Sequence, residues 1–386
     1  MARHNTTALP LVSDVFDSSN STVLYNSTTT LPLLADPFNI TNWQDSNSTS
    51  QYTYGGRVFV SISVLIISLI GITGNVIVLM AVALSCRLQT ITNVFVANLS
   101  VADLLMCLCA LPNAVIVLIR SSLPPSLENL CLTVAFLSPI ASGVIMFSIA
   151  AIAVNRMLLI TKHATAYKKI YTACTLFPMV VIIWLVPIML TTILLATGVG
   201  RLSYNINFHI CLDDNENPTS GLYKFLLAGI LYPGPLAITL ICYSIIYVFI
   251  RRHFKKERLA CPSVRILTTT SSPEPNKAQP VVSIATYKLR NERIHKHQIQ
   301  ITKNLFIVSC VCFLLPLPNS VFLMLGLDDL FLYGVIFLFA NSAVNPLLYG
   351  ARHPMFKEIM LCILRHRWAD IPEPSRLLKV LLSRGK

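Results

Sequence analysis

In a chain of 386 residues, 54% hydrophobic and 12% charged, the residues able to do chemistry are the polar ones that interrupt long apolar stretches. Asp103 stands near the middle of one stretch, Asn75 in another, and Asn341, Ser342 and Asn345 in a third. A charged group at mid-bilayer costs at least about 2.5 kcal/mol, so such groups must face one another across a helix bundle. Together they could hold waters or a small cation such as sodium. A purely structural hydrogen-bond network is the alternative reading. Arg156, in the run Val154 Asn155 Arg156 Met157, is the second oddity, because apolar residues continue from Met157 to Ile160. It either snorkels to the headgroups or works at the mouth of the bundle. Enzyme chemistry has little to build on: all eight histidines lie in tails, loops or membrane edges, and no span pairs a His with an acid. No cofactor is expected beyond a possible allosteric sodium ion.

The elements that must position these groups are long apolar segments, near 58–84, 91–119, 129–160, 173–199, 222–250, 299–325 and 330–351. Each exceeds the roughly 20 residues a helix needs to cross about 30 Å of hydrocarbon, and helices satisfy their own backbone groups in lipid. The expected fold is an all-α membrane protein, a bundle of seven transmembrane helices over 57–352. Gly326, Asp328 and Asp329 mark a surface turn between the last two spans, since adjacent carboxylates do not sit cheaply in lipid. Pro187, Pro233, Pro235, Pro316, Pro318 and Pro346 interrupt spans and should bend them.

Orientation follows from charge. Only Arg3, Arg57, Arg120, Arg201 and Lys224 fall on the N-terminal side, leaving 25 of the 30 cations on the other, while 10 of the 17 anions lie on the N-terminal side. Cytoplasmic flanks collect Lys and Arg, so the N-terminus is expected outside and the C-terminus inside, in the plasma membrane. The basic excess then reflects the inner membrane surface and an intracellular partner, and nucleic acid is not implied. Residues 1–56 read as a disordered outer tail, with no cleavable secretory signal and with the first span as targeting signal. Five acceptor sequons, at Asn5, Asn20, Asn26, Asn39 and Asn47, suit glycosylation there. Asn98 fits the same pattern but lies inside the second span and is discounted.

Of 11 cysteines, only Cys131 and Cys211 fall at outer positions, where oxidising conditions exist. They should pair; two free thiols is the alternative. On the inner side, 251–298 reads as a third cytoplasmic loop whose Ser/Thr/Pro-rich stretch Thr268 to Pro275 could be modified by kinases, or serve as a flexible linker. Residues 353–366 form an amphipathic stretch. Cys362 within it is a candidate for palmitoylation or is structural, and 367–386 reads as a cytoplasmic tail.

Taken in order, several motifs resemble those of the rhodopsin-like G-protein-coupled receptors. They are Gly74 Asn75 Val76, Asn98 Leu99 Ser100 Val101 Ala102 Asp103 Leu104, Cys131 standing 25 residues before Arg156, Trp184 with Pro187, Pro235 with Tyr243, Asn345 Pro346 Leu347 Leu348 Tyr349, and Phe356. The resemblance covers roughly 58–362. It implies a ligand-driven switch in which the sixth helix, pivoting at Pro316, opens a groove for a heterotrimeric G protein. Arg156 would floor that groove and meet Tyr243 and Tyr349, while Asp103, Asn341, Ser342 and Asn345, beside Asn75, would form a sodium-linked core. Phe356 would begin a short eighth helix. Within the family, Asn155 before Arg156, with Gly200 Arg201 Leu202 Ser203 Tyr204 and Cys211, is most similar to the melatonin receptors and also to the Moody and Trapped in endoderm orphan receptors and their medium-chain fatty-acid relative.

The departures carry information too. Asn155 replaces the family's usual acid and Met157 its tyrosine; Lys296 stands 20 residues before Pro316, where relatives often carry an acid. Leu314 replaces a common tryptophan, Ile145 a usual sodium-site serine, and Pro346 the alanine usual in melatonin receptors. A neutral residue cannot hold the guanidinium as an ion pair, so raised basal activity is expected. Ser138 stands where amine receptors carry an acid, and Phe339 where opsins carry the retinal lysine. The outer half, with Asn113, Ser138, Tyr232 and Asn319 among apolar residues, favours a neutral, lipid-like or indole-like ligand. Glu128, Asp213, Asp214, Glu216, Asp328 and Asp329 leave a basic peptide as the alternative. A transporter, which would show internal repeats, is the alternative of a different class.

Overall fold

The computed structural model describes residues 52–119, 123–214, 217–260, 299–325 and 327–384. The chain forms α1 (Tyr54–Leu84), α2 (Ile91–Ile116), α3 (Pro125–Thr161), a short α4 (Ala164–Ile170) and α5 (Ala173–Ala196). An antiparallel hairpin follows, β1 (Leu202–Asn205) and β2 (Ile210–Asp213), with Tyr204 opposite Cys211. Then come α6 (Ser220–Leu231), α7 (Pro233–Ala260), α8 (299–314), α9 (Leu317–Met324), α10 (Asp328–Arg352), α11 (Pro354–Leu364) and α12 (Arg376–Arg384). Seven helical segments are long and apolar enough to span a bilayer, with α6–α7 and α8–α9 counting as one each. The bundle is the one its apolar periodicity demands.

The helices are sorted inside out. In α1 the buried residues Val60, Val64, Ser68, Gly71, Asn75 and Val78 recur every three or four positions, which is one face of a helix. The opposite face shows Phe59, Ile62, Ile66 and Leu69 outward. An apolar exterior of that extent is unsuited to water and belongs to lipid. Thr53 starts α1 by accepting a hydrogen bond from the Gly56 N–H, and Thr90 and Thr172 cap α2 and α5 in the same way, each satisfying an otherwise unpartnered amide.

Proline behaves in two ways. α6 ends at Leu231 and α7 begins at Pro233, with Tyr232 between them still in the right-handed helical region, and α8 and α9 are separated by Leu315 and Pro316, so the fifth and sixth spans are each two pieces. Pro187 and Pro346, also expected to interrupt, lie within continuous helices, as do Pro112, Pro139 and Pro178. Two of these rings are packing surfaces for glycine. A Cβ on Gly143 would come within 2.8 Å of Pro187, and one on Gly74 within 2.7 Å of Pro346. Asp328 and Asp329, expected in the turn before the seventh span, fall inside the first turn of α10. Carboxylates are favoured at that end of a helix dipole.

Residues 367–386 had no expected structure beyond a tail. Instead, Trp368–Asp370 forms a 3₁₀ turn and Ser375–Leu84 and Cys86–Glu373 backbone hydrogen bonds return the chain to the end of α1. Ile371 and Leu378 are buried there.

Because the α1–α10 approach at Gly74 has no room for a methyl group, Gly74→Ala should destabilise the protein by about 1–3 kcal/mol. Thermal unfolding in detergent measures it, and an unchanged midpoint would contradict this packing.

Candidate functional site

Three layers of polar residues run through the bundle. The outermost is a lid. Cys131 at the top of α3 is joined to Cys211 in β2 by a disulfide, as expected. Asn113 in α2 adds a second tie, its side-chain oxygen accepting from the Cys211 N–H at 3.2 Å. Asn205 accepts from the Asn207 and Phe208 N–H groups and so closes the turn. With the hairpin pinned, Phe208 and Ile210 are buried in the core. The Phe208 ring lies 4.7 Å from Phe331, and Tyr52 completes the lid, its ring 6.0 Å from Tyr333 and its oxygen accepting from the Leu332 N–H.

Charge in the lid is used internally. Asp213 is only 4% exposed, accepts from the Ser220 hydroxyl and lies 3.3 Å from Lys224; Asp214 pairs with Arg201 at 3.9 Å. Glu128 and Asp329 remain exposed. His209, held at a positive φ of 53°, meets the Tyr204 hydroxyl at 2.8 Å. Burial, aided by the Arg57 charge, pushes the imidazole down to about 4, and burial pushes the Tyr204 phenol up to about 12.

Below the lid, the residues expected to meet a ligand are spread out. Ser138 turns back to the Val134 carbonyl, while Tyr232 meets Ser142, one turn further along α3, at 2.9 Å. Asn319 lies against Gly334 in α10. Asn113, as seen, serves the hairpin.

The middle layer gathers the polar residues of α1, α2 and α10. Asn345 donates to Asp103 at 2.8 Å and receives the Cys312 thiol at 3.0 Å. Asn75 donates to both the Gly71 and Ser342 carbonyls at 2.9 Å, bridging α1 to α10. All are buried, and Ser342 stands beside Asp103. Asp103 Oδ1, Asn75 Oδ1 and Asn341 Oδ1 accept no hydrogen bond from a described residue. Such oxygens fit a hard cation, although Ile145, buried on α3, offers it no hydroxyl. Asn98, discounted as a sequon, proves to be a cross-link. It donates to Ser148 on α3 and accepts the Trp184 indole N–H of α5, both at 2.8 Å. The rule that polar residues inside spans must face a partner would have found it.

The inner layer surrounds Arg156, which is buried and within electrostatic reach of Tyr243 and Tyr167. Its neighbour Asn155 accepts from Thr92 at 2.6 Å and donates to the Tyr167 hydroxyl at 2.9 Å, tying α3 to α2 and α4. Tyr243 approaches Ser309 at 3.4 Å and meets the Phe306 edge at 4.9 Å. Tyr349 is stacked on Phe356 of α11 at 5.6 Å, its hydroxyl without a hydrogen-bond partner among the described residues. Cys362 Sγ lies 3.9 Å from the Asp370 carbonyl. Lys296, the five sequons, Glu216 and Thr268 to Pro275 lie outside the described residues. Thr92 and Tyr167 carried no motif.

Seven spans, the tethered hairpin and this polar column define a membrane receptor, and the family model for "7 transmembrane receptor (rhodopsin family)" matches residues 74–349. The chain belongs to that family. It is 22% identical over 363 residues to the G-protein coupled receptor moody of Drosophila melanogaster, covering 83% of this chain and 52% of that protein. It is 26% identical over 344 residues to Protein trapped in endoderm-1 of Drosophila melanogaster (85% and 83% covered) and 24% over 317 residues to the mouse melatonin receptor type 1B (79% and 77%). These are the subgroups that the residues around Arg156 and Cys211 resemble. The chain spans 35% and 52% of the two moody receptors it matches. The crystal structure of squid rhodopsin superposes with a TM-score of 0.65 at 20% identity, covering 83% of this chain and 88% of that one. The fold is that of a multi-pass plasma-membrane receptor.

The His209 shift sets a pH dependence. Its folded value lies below the ordinary 6.5, so between about 6.5 and 4 the unfolded chain binds the extra proton and stability falls as pH falls. The thermal midpoint should drop between pH 7 and pH 5, and His209→Gln should reduce that drop; an identical drop in both proteins would disprove it.

Proposed function

We propose that the chain is a G-protein-coupled receptor that transmits binding of an extracellular ligand to heterotrimeric G proteins at the face holding Arg156. The observation that carries this reading is Arg156 within electrostatic reach of Tyr243, and Tyr243 of Tyr349, at one mouth of a rhodopsin-family bundle, joined through the Asp103 layer to a tethered outer lid. An agonist would act by binding the open form more tightly, by about 5.5 kcal/mol to invert a 1:99 equilibrium. The charge split supports an outer N-terminus, with glycans at the five sequons, and an inner C-terminus. Kinases and arrestin would act on the third inner loop, with Lys296 at its far end, and a lipid anchor would sit at Cys362.

The ligand we favour is neutral and lipid-like or indole-like. Phe208 and Ile210 make the inner side of the lid apolar where it packs into the core, and the Ser142 and Tyr232 hydroxyls form a polar pair without charge. A basic peptide, the alternative, would meet fewer free carboxylates because Asp213 and Asp214 already have cations. Receptor reconstituted in nanodiscs should accelerate nucleotide exchange on purified G protein when the right lipid or indole is added. Arg156→Ala should abolish that acceleration. Tracer flux without exchange would instead indicate a transporter.

Basal activity is the finer claim. Asn155 holds Thr92 and Tyr167 but brings no charge beside Arg156. Aspartate can accept from both hydroxyls in the same geometry and adds an ion pair. Asn155→Asp should therefore lower ligand-free exchange by about tenfold, the equivalent of roughly 1.4 kcal/mol; equal and negligible exchange in both proteins would sink the idea.

A sodium ion among Asp103, Asn341 and Ser342 would bring positive charge to a buried carboxylate. Replacing choline by sodium should then raise the melting temperature of the wild type and not that of Asp103→Asn. The same response in both would remove sodium from this layer.

A further inference from the structure

The returning C-terminal segment carries more apolar surface than the bundle covers. Residues 371–375 are held by the Ser375 N–H to the Leu84 carbonyl, the Cys86 N–H to the Glu373 carbonyl and the Ser85 hydroxyl to the Pro372 carbonyl. These fix α12 against the end of α1, where the first span leaves the membrane. At 100° per residue, α12 divides into three faces. Leu378 is on the face that meets the bundle and is 2% exposed. Leu377, Val380 and Leu381 form a second face, 53%, 48% and 54% exposed. Arg376, Lys379 and Ser383 form the third and are solvent-facing. A helix serving only as a latch would need the first face and a polar remainder.

We propose that α12 is a second membrane-surface anchor, its Leu377–Val380–Leu381 face inserted among the acyl chains and Arg376 and Lys379 reaching anionic headgroups. Three observations favour lipid as the occupant. The face joins others on the same end of the first span, since α11, which also packs against α1, turns Leu361 and Leu364 outward. Arg376 and Lys379 border the apolar arc on one side, and Arg365 and Arg367 lie close by in sequence, as in interfacial helices that bind acidic bilayers. The hydrogen bonds to Leu84 and Cys86 hold α12 at the level where that span ends. The inference needs the bundle to span a bilayer but needs neither ligand nor G protein, so a failure of the signalling reading would leave it intact.

The test uses full-length receptor in nanodiscs of phosphatidylcholine, with or without phosphatidylserine. A bimane probe is placed at Leu381→Cys or Ser383→Cys in a background of Cys86→Ser, Cys174→Ser and Cys261→Ser. The Leu381 probe should be quenched by doxyl-labelled lipid and shielded from iodide, more strongly with phosphatidylserine present, whereas the Ser383 probe should stay open to iodide. Adding Arg376→Gln and Lys379→Gln should weaken the phosphatidylserine effect about tenfold. Amide exchange in α12 of the unsubstituted protein should also slow when phosphatidylserine is included, a readout that needs no variant. Equal iodide access at both positions in both membranes would overturn the proposal. So would shielding of Leu381 that appears only after purified G protein is added, which would assign the face to a protein partner.

Discussion

A polar group inside a bilayer has no water to fall back on, so its partner has to come from the protein itself, either its own helix's backbone or another helix. That constraint organises this receptor. Asn75 joins the first span to the seventh, Asn98 joins the second to the third and fourth, and Asp103 with Asn345 joins the second to the seventh. Each bond stitches segments far apart in sequence, and the stitches stack into one column from the Asn155 layer up towards the Cys211 hairpin. Removing one partner of such a pair strands the other in a medium where leaving it unmade costs about 1–3 kcal/mol.

Around this column, close packing does what the hydrophobic effect cannot do between helices already in lipid. Gly74 against Pro346 and Gly143 against Pro187 bring backbones together where a methyl group would intrude. The prolines thus serve two ends. Near Pro233 and Pro316 the helix is interrupted; where the Pro187 and Pro346 rings meet a glycine, the helix continues and the ring fills space.

The seven spans were legible because length and apolarity are properties of local sequence, and so were the Cys131–Cys211 pair and the buried Asp103 group. Contacts that depend on the path of the chain were not. Tyr167 reaches Asn155 only because the short α4 turns it inward, and Asn113 is drawn to the Cys211 amide only because the disulfide has brought the hairpin above it. Asp213 shows the opposite case. As one of a run of loop acids it suggests a docking site for cations, but folding supplies Lys224 and Ser220 and takes it out of reach. The 367–384 segment was invisible for a related reason: its charged residues read as solvated, and only the edge offered by Leu84, Ser85 and Cys86 gives Ile371 and Leu378 something to cover.

That return of the chain has a genetic consequence. A premature stop just after His366 would spare every span and the whole of α11, and by ordinary reckoning would be a mild lesion. It would nevertheless uncover the inner end of the first helix, removing the acceptors for the Ser85 hydroxyl and the Cys86 amide and the donor to the Leu84 carbonyl. Truncation alleles there belong with folding defects, to be scored by how much receptor reaches the cell surface.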